Sequence, residues 1–226
     1  MPVEANDAFT LILEPVKRCN LKCLYCYSDG AGAGVMSRQT LQTALEKTAR
    51  YAERQGFREL HILWHGGEPL LAGLGFFRAA LKILDGLASD LKFQHYLQTN
   101  GLLLDYDFCA FFHDHEFQIG ISLDGPQVLH DSLRIGADGQ GSHAAVLEKV
   151  RLLEEQGVSV GFNAVVTRRH RGAGNLARHR ARLHHRSDDA RDARGPASTR
   201  RRSGRIHLRA RDDRQWRGRR RNRMAE

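Results

Sequence analysis

The chain has 226 residues and a formal net charge of +9. That length suffices for one large domain or two small ones with a sizeable core, and no apolar run reaches the roughly 18 residues of a membrane helix. The charge is uneven: the first 166 residues hold 14 basic and 20 acidic residues, whereas the last sixty hold 21 Arg, no Lys and six acids, so a reading of the whole chain as nucleic-acid-binding describes only its tail.

In chain order, the apolar run Phe9–Leu13 reads as a buried strand. Ser37 is a plausible N-cap for a helix carrying Leu41, Ala44, Leu45, Thr48 and Ala52 at helical spacing, stopped by Gly56. Leu60–Trp64 is a second strand, Phe76–Leu87 a helix with an apolar stripe, and Phe93–Gln98 a third strand. A short helix over Asp107–His115 follows, then a strand over Phe117–Leu123, a helix from Ser142 to Gln156 closed by Gly157, and a fifth strand over Val158–Val166. Repeated strand–helix units imply a parallel sheet. Its form is either a curved, barrel-like α/β sheet or a doubly wound one. The polar and glycine-rich segments follow the strands, at the edge where α/β folds build their sites. Beyond Thr167 apolar periodicity stops, and residues 167–226 read as a disordered, Arg-rich tail appended to a unit spanning 1–166.

Three of the four cysteines lie in Cys19-Asn20-Leu21-Lys22-Cys23-Leu24-Tyr25-Cys26, a C-x3-C-x2-C spacing. Such clustering in a reducing compartment points to metal rather than disulfides. The start, Met1-Pro2-Val3-Glu4-Ala5-Asn6-Asp7, lacks a basic region followed by an apolar one, so a cytoplasmic protein is expected. Zinc ordinarily takes four ligands at paired spacings, and no second pair stands at the right distance. Three thiolates in one loop can instead hold three corners of an iron–sulfur cube and leave one iron open. Lys17, Arg18 and Lys22 make the loop basic, which suits an anionic, thiolate-ligated group. Cys109, beside Phe108, Phe111 and Phe112, reads as a core thiol.

The cysteine spacing, with an aromatic before the last Cys, resembles the signature of the radical S-adenosylmethionine (SAM) superfamily. Four further segments resemble its motifs in order: His65-Gly66-Gly67-Glu68-Pro69, Leu97-Gln98-Thr99-Asn100-Gly101, Ser122-Leu123-Asp124-Gly125-Pro126 and His130-Asp131-Ser132-Leu133-Arg134. Taken singly each is also ordinary turn chemistry. The resemblance, over about Phe9–Val166, is nearest to anaerobic sulfatase-maturating enzymes and related SPASM-type peptide maturases.

It implies a partial (β/α) barrel with about five parallel strands present, a [4Fe-4S] cluster on Cys19, Cys23 and Cys26, and SAM chelated at the open iron and cleaved to a 5′-deoxyadenosyl radical. It assigns SAM contacts to Tyr25, Gly66, Gly67, Glu68, Gln98, Asn100, Ser122 and Arg134. Within this set the turn at Glu68 would hold the amino group, Ser122 the ribose and Arg134 the carboxylate. It further implies a peptide or protein substrate and a low-potential electron donor such as ferredoxin or flavodoxin.

No cysteine follows Cys109, so the auxiliary-cluster segment is expected to be missing, and with it the last strand–helix unit and the family's proton-accepting Asp. Arg without Lys in the tail is what a GC-rich gene yields out of frame, and a frameshift near 167–180 is the expectation. Two other readings follow: a non-functional fragment of such an enzyme, and a nucleic-acid-binding protein using the tail. The tail's lack of aromatics other than Trp216 argues against the second.

Overall fold

The computed structural model describes residues 7–28, 34–167 and 206–210. Strands β1 (Ala8–Leu13), β2 (Glu59–Trp64), β3 (Lys92–Thr99), β4 (Gln118–Ser122) and β5 (Val160–Val166) match the five expected from apolar runs. They form one parallel sheet in sequential order, with Leu13 level with Trp64, Trp64 with Leu97, Thr99 with Ile121, and Ser122 with Asn163. The order never reverses, which decides for the barrel-like sheet, since a doubly wound sheet must switch direction.

Helices α1 (Arg38–Arg54), α2 (Leu74–Asp85), α3 (Tyr106–Asp114) and α5 (His143–Glu155) join successive strands as expected. Ser37 caps α1 by accepting a hydrogen bond from Thr40 N at 3.1 Å, and Asp105 caps α3 through Phe108 N at 2.9 Å. Ser142 stands before α5 but does not cap it with its hydroxyl; Asp131 Oδ1 accepts from His143 N instead, at 2.9 Å. Two short pieces escape the sequence reading. They are a single-turn 3-10 helix at Pro69–Ala72 and the five-residue α4 (Gln127–Asp131), both too brief to show a helical period.

A sixth strand, β6 (Ile206–Ala210), pairs in parallel with β5. It lies inside the segment expected to be structureless; the short alternation Ile206-His207-Leu208-Arg209-Ala210 is the only sequence signal for it. The rest of that expectation, and the frameshift with it, lies outside the described residues.

The core lies between the sheet and the helices. One face of β2, β3 and β4 contributes Leu60, Ile62, Trp64, Leu97, Ile119 and Ile121, packed with Leu41, Leu45, Phe77, Leu84, Phe112 and Leu153 of the helices. Cys109 is part of this core, as expected. The opposite face is half-buried and polar: Glu59, His61, Gln94 and Tyr96 form a hydrogen-bonded ladder there. The segments that follow the strands meet at the C-terminal edge of the sheet.

Candidate functional site

The cysteine loop leaves β1 at the sheet edge and is held from three directions. The first is the glycine turn after β2. Gly67 N donates to Val16 O at 3.1 Å, and Glu68 N donates to Arg18 O at 2.8 Å. A Cβ built on Gly67 would stand 2.2 Å from both Lys17 O and Arg18 O, and Gly66 adopts φ +127°. The two glycines therefore admit the backbone of the cysteine loop itself, a closer demand than the ligand approach expected of them.

The second hold comes from the end of β3. Asn100 Nδ2 donates to Asn20 Oδ1 at 2.7 Å and lies 3.6 Å from Cys19 Sγ. Glu68, only 1% exposed, sets this residue in place. Its carboxylate accepts from Asn100 N (2.8 Å), Thr99 Oγ1 (2.7 Å) and Leu70 N (3.0 Å). Burial raises its pKa above the ordinary carboxylate range, and the three donors only partly oppose this. The side chain expected to meet an amino group thus has three protein donors already.

The third is the stretch after α4. Lys22 N donates to Ile135 O at 2.7 Å and Leu24 N to Leu133 O at 2.8 Å, in an antiparallel pairing beside the Leu21–Gly136 bridge. Between those two anchors sits Arg134. Its Nη1 donates to Tyr25 Oη, which in turn donates to Asp124 Oδ2, both at 2.5 Å, and its guanidinium lies 5.9 Å from the Tyr25 ring centre. Asp124 Oδ1 accepts from Val165 N at 3.0 Å. Tyr25, Asp124 and Arg134 thus knit the cysteine loop to the ends of β4 and β5.

Behind this group is fully buried His130. Its Nδ1 accepts from Asp124 N (3.3 Å), so Nε2 carries the proton and faces Ser142 Oγ at 2.9 Å. Ser142 Oγ donates to Arg134 O at 2.9 Å. Burial lowers the His130 pKa to about 3, helped by the Arg134 charge, and the ring is neutral.

A second polar group lines the half-buried face of the sheet. Gln98 Nε2 donates to Ser122 Oγ at 2.9 Å, and Asn163 Nδ2 donates to Gln98 Oε1. It is joined to the loop through Asp124 and Val165, each two residues beyond Ser122 and Asn163. The structure thus gathers Tyr25, Gly66, Gly67, Glu68, Asn100 and Arg134 around the cysteines, with Gln98 and Ser122 one step along the edge. Asn20, Asp124, His130, Ser142 and Asn163 join them without having been singled out. Asp124 and His130 stood inside motif segments, which was the available signal; Asn163 had none beyond its place on a strand.

Cys19 and Cys23 are half-buried and Cys26 is exposed. Burial raises the pKa of Cys19, and that of Cys23 to about 11 against the pull of Arg134. Among the described residues no three His, Cys, Asp or Glu side chains stand as a closed metal-binding set. Two observations nonetheless fit a cluster with SAM bound beside it. The donor set is three thiols within eight residues of one loop. Arg134 Nε, in a residue only 8% exposed, has no hydrogen-bond partner among the described residues, and a buried donor of that kind calls for an acceptor such as a carboxylate.

Residues 13–170 match the family model described as the Radical SAM superfamily. The serine-type anaerobic sulfatase-maturating enzyme of Klebsiella aerogenes is 36% identical over 162 residues, covering 70% of this chain and 39% of that protein. The cysteine-type enzyme of Clostridium perfringens (strain 13 / Type A) is 30% identical over 179 residues, 75% of this chain and 46% of that protein. The solved structure of native anSMEcpe with bound AdoMet and Cp18Cys peptide superposes with a TM-score of 0.64 at 28% identity, over 80% of this chain and 48% of that one. The chain therefore spans less than half the length of these relatives. With its family model matched over most of the sheet and its motif segments converging on one cysteine loop, the chain belongs to the radical SAM superfamily.

Proposed function

We propose that residues 1–166 form the SAM-cleaving unit of a radical enzyme that modifies a serine or cysteine side chain in a peptide or protein. The observation that carries this reading is the convergence of four motif segments, far apart in sequence, on the loop bearing Cys19, Cys23 and Cys26.

In this reading Cys19, Cys23 and Cys26 would hold a [4Fe-4S] cluster with SAM bound beside it. Such a cluster would supply the one-electron reductive cleavage of SAM that starts radical chemistry on the substrate side chain. The chain's own residues place the partners. Arg134 offers its unpartnered Nε to the SAM carboxylate. The Gly66–Glu68 turn would face the amino group, with Glu68 also fixing Asn100 against the loop. Ser122, whose oxygen already accepts from Gln98, retains its hydroxyl proton for a ribose oxygen. Tyr25 is held by both Asp124 and Arg134, so its ring has one orientation beside the cysteines. The partners in this reading are the substrate peptide and a low-potential one-electron donor such as ferredoxin or flavodoxin, and the compartment is the cytoplasm.

The test is anaerobic reconstitution with iron and sulfide, followed by iron counting and a dithionite-driven assay for 5′-deoxyadenosine. Wild type should hold about four irons per chain and form deoxyadenosine, and Cys23→Ala should lose both. Deuterium passing from a side-chain-labelled Ser or Cys peptide into deoxyadenosine tests the substrate class. A folded sample without a cluster would refute the reading.

A further inference from the structure

The cysteine loop has an outer surface that the chemistry above does not use. Between Glu14 and Asp29 the sequence carries three cations, Lys17, Arg18 and Lys22, and no acid, within a 166-residue unit where acids outnumber bases. All three side chains are exposed, and none makes an ion pair among the described residues. The loop's inward contacts at Lys17, Arg18 and Lys22 are made by main-chain atoms, so the charges themselves face water. Solvent and salt screen them from the interior; their reach is toward an approaching macromolecule. Among the described residues, neighbouring acids do little to cancel them. Glu68 and Asp124 are buried, Glu14 is half-buried against Gly66, and exposed Asp138 accepts from Gln140 N within its own turn.

Amid these cations lies an apolar centre. Leu24 is 45% and Tyr27 64% exposed. An apolar centre with a charged rim is the anatomy of a protein interface, and a patch this small suits a brief encounter, as redox pairs make, rather than a lasting complex.

The geometry points to this face as the docking surface of a small acidic one-electron carrier protein, seated over Leu24 and Tyr27 and steered by Lys17, Arg18 and Lys22. This rests on the proposed radical chemistry, which requires one electron from outside the chain. In the docked pair one electron leaves the carrier, for example a flavin hydroquinone that becomes a semiquinone, and enters the cluster; no atom moves between the proteins. Charge complementarity selects the partner, since a carrier with an acidic rim is attracted to this loop and repelled by the acidic remainder of the unit.

The experiment uses three full-length chains: wild type, K17E/R18E/K22E, and K47E/R54E/R58E. The last makes the same change of net charge on exposed positions of α1 and the turn after it, away from the loop. An oxidised flavodoxin with an acidic surface is titrated into each by calorimetry at low and at physiological salt. This needs no cluster, and any attraction to the Arg-rich tail is common to all three chains. In parallel, reconstituted chains are assayed for deoxyadenosine with dithionite and with reduced flavodoxin. The loop reversal should weaken flavodoxin binding by about tenfold or more at low salt and slow the flavodoxin-driven reaction by about tenfold more than it slows the dithionite-driven one. The remote reversal should change each by less than about twofold.

Equal losses in both variants, or no loss in the loop variant, would overturn the proposal. A matching loss of the dithionite reaction would too, by showing that the cations act inward. So would an equal loss for a short single-stranded DNA, which would make the face a general polyanion site. A wild-type chain without cluster or deoxyadenosine would refute the radical chemistry instead, while the titration still reads the surface.

Discussion

Gly67→Ala is the most direct test of how the site is built. A Cβ at Gly67 would stand 2.2 Å from the carbonyl oxygens of Lys17 and Arg18 and 2.6 Å from the Arg18 carbonyl carbon. An ordinary carbon–oxygen contact is about 3.3 Å, so the turn and the loop must part by about 1 Å. All three atoms are backbone, and no side chain can swing aside. Two hydrogen bonds cross this seam, Gly67 N to Val16 O and Glu68 N to Arg18 O, at about 0.5–1.5 kcal/mol each. Overpacking adds about 1–3 kcal/mol. A loss of about 2–6 kcal/mol follows, a large part of a typical domain's stability. Because Arg18 precedes Cys19, the same displacement moves the first ligand, so iron retention should fall together with stability. Gly75→Ala is the control. That position lies in α2 with nothing within 4 Å of a new Cβ, and the change should stabilise by up to about 1 kcal/mol. Urea unfolding followed by circular dichroism, with iron counts after reconstitution, reads both. A Gly67→Ala chain with the wild-type midpoint and full iron would show that the glycine turn does not set the loop.

Buried His95 and His130 have pKa values lowered to about 4 and about 3 from 6.5. On acidification below pH 6.5 the unfolded chain takes up protons that the folded chain refuses, so stability should fall by up to about 2.7 kcal/mol per pH unit for the two together. His130→Asn should remove about half that slope between pH 6 and 4.5; an unchanged slope would mean that His130 is not held neutral. Tyr25→Phe deprives Asp124 Oδ2 and Arg134 Nη1 of their shared partner and should cost about 1–3 kcal/mol in urea unfolding, whereas a neutral result would deny the three-residue tie. Glu68→Gln sets an amide NH2 against at least one of three donors, Leu70 N, Thr99 Oγ1 and Asn100 N. It should cost a similar amount, seen by the same measurement. Reading the gene in its other frames downstream of Thr167 should reveal a cysteine-bearing continuation of the fold, and no such frame means the tail is genuine sequence.

What the sequence determined by itself is local. Short apolar runs such as Leu60–Trp64, helix signals such as Ser37 and Gly56, and the C-x3-C-x2-C spacing all act within a few residues of themselves. Strand and helix periods, caps and ligand spacing are therefore written directly into neighbouring positions. Motif residues could be named for the same reason, but not their partners. Only the tertiary structure decided that Gly67 packs on the Lys17–Arg18 backbone, that Glu68 faces inward to fix Asn100, and that Tyr25 joins Asp124 and Arg134 across about a hundred residues of chain. The β6 pairing with β5 likewise joins residues some forty positions apart. Such contacts depend on which strand edges come level once the parallel sheet is in register, and register is set by the burial of one whole face. No short window of the chain carries that information.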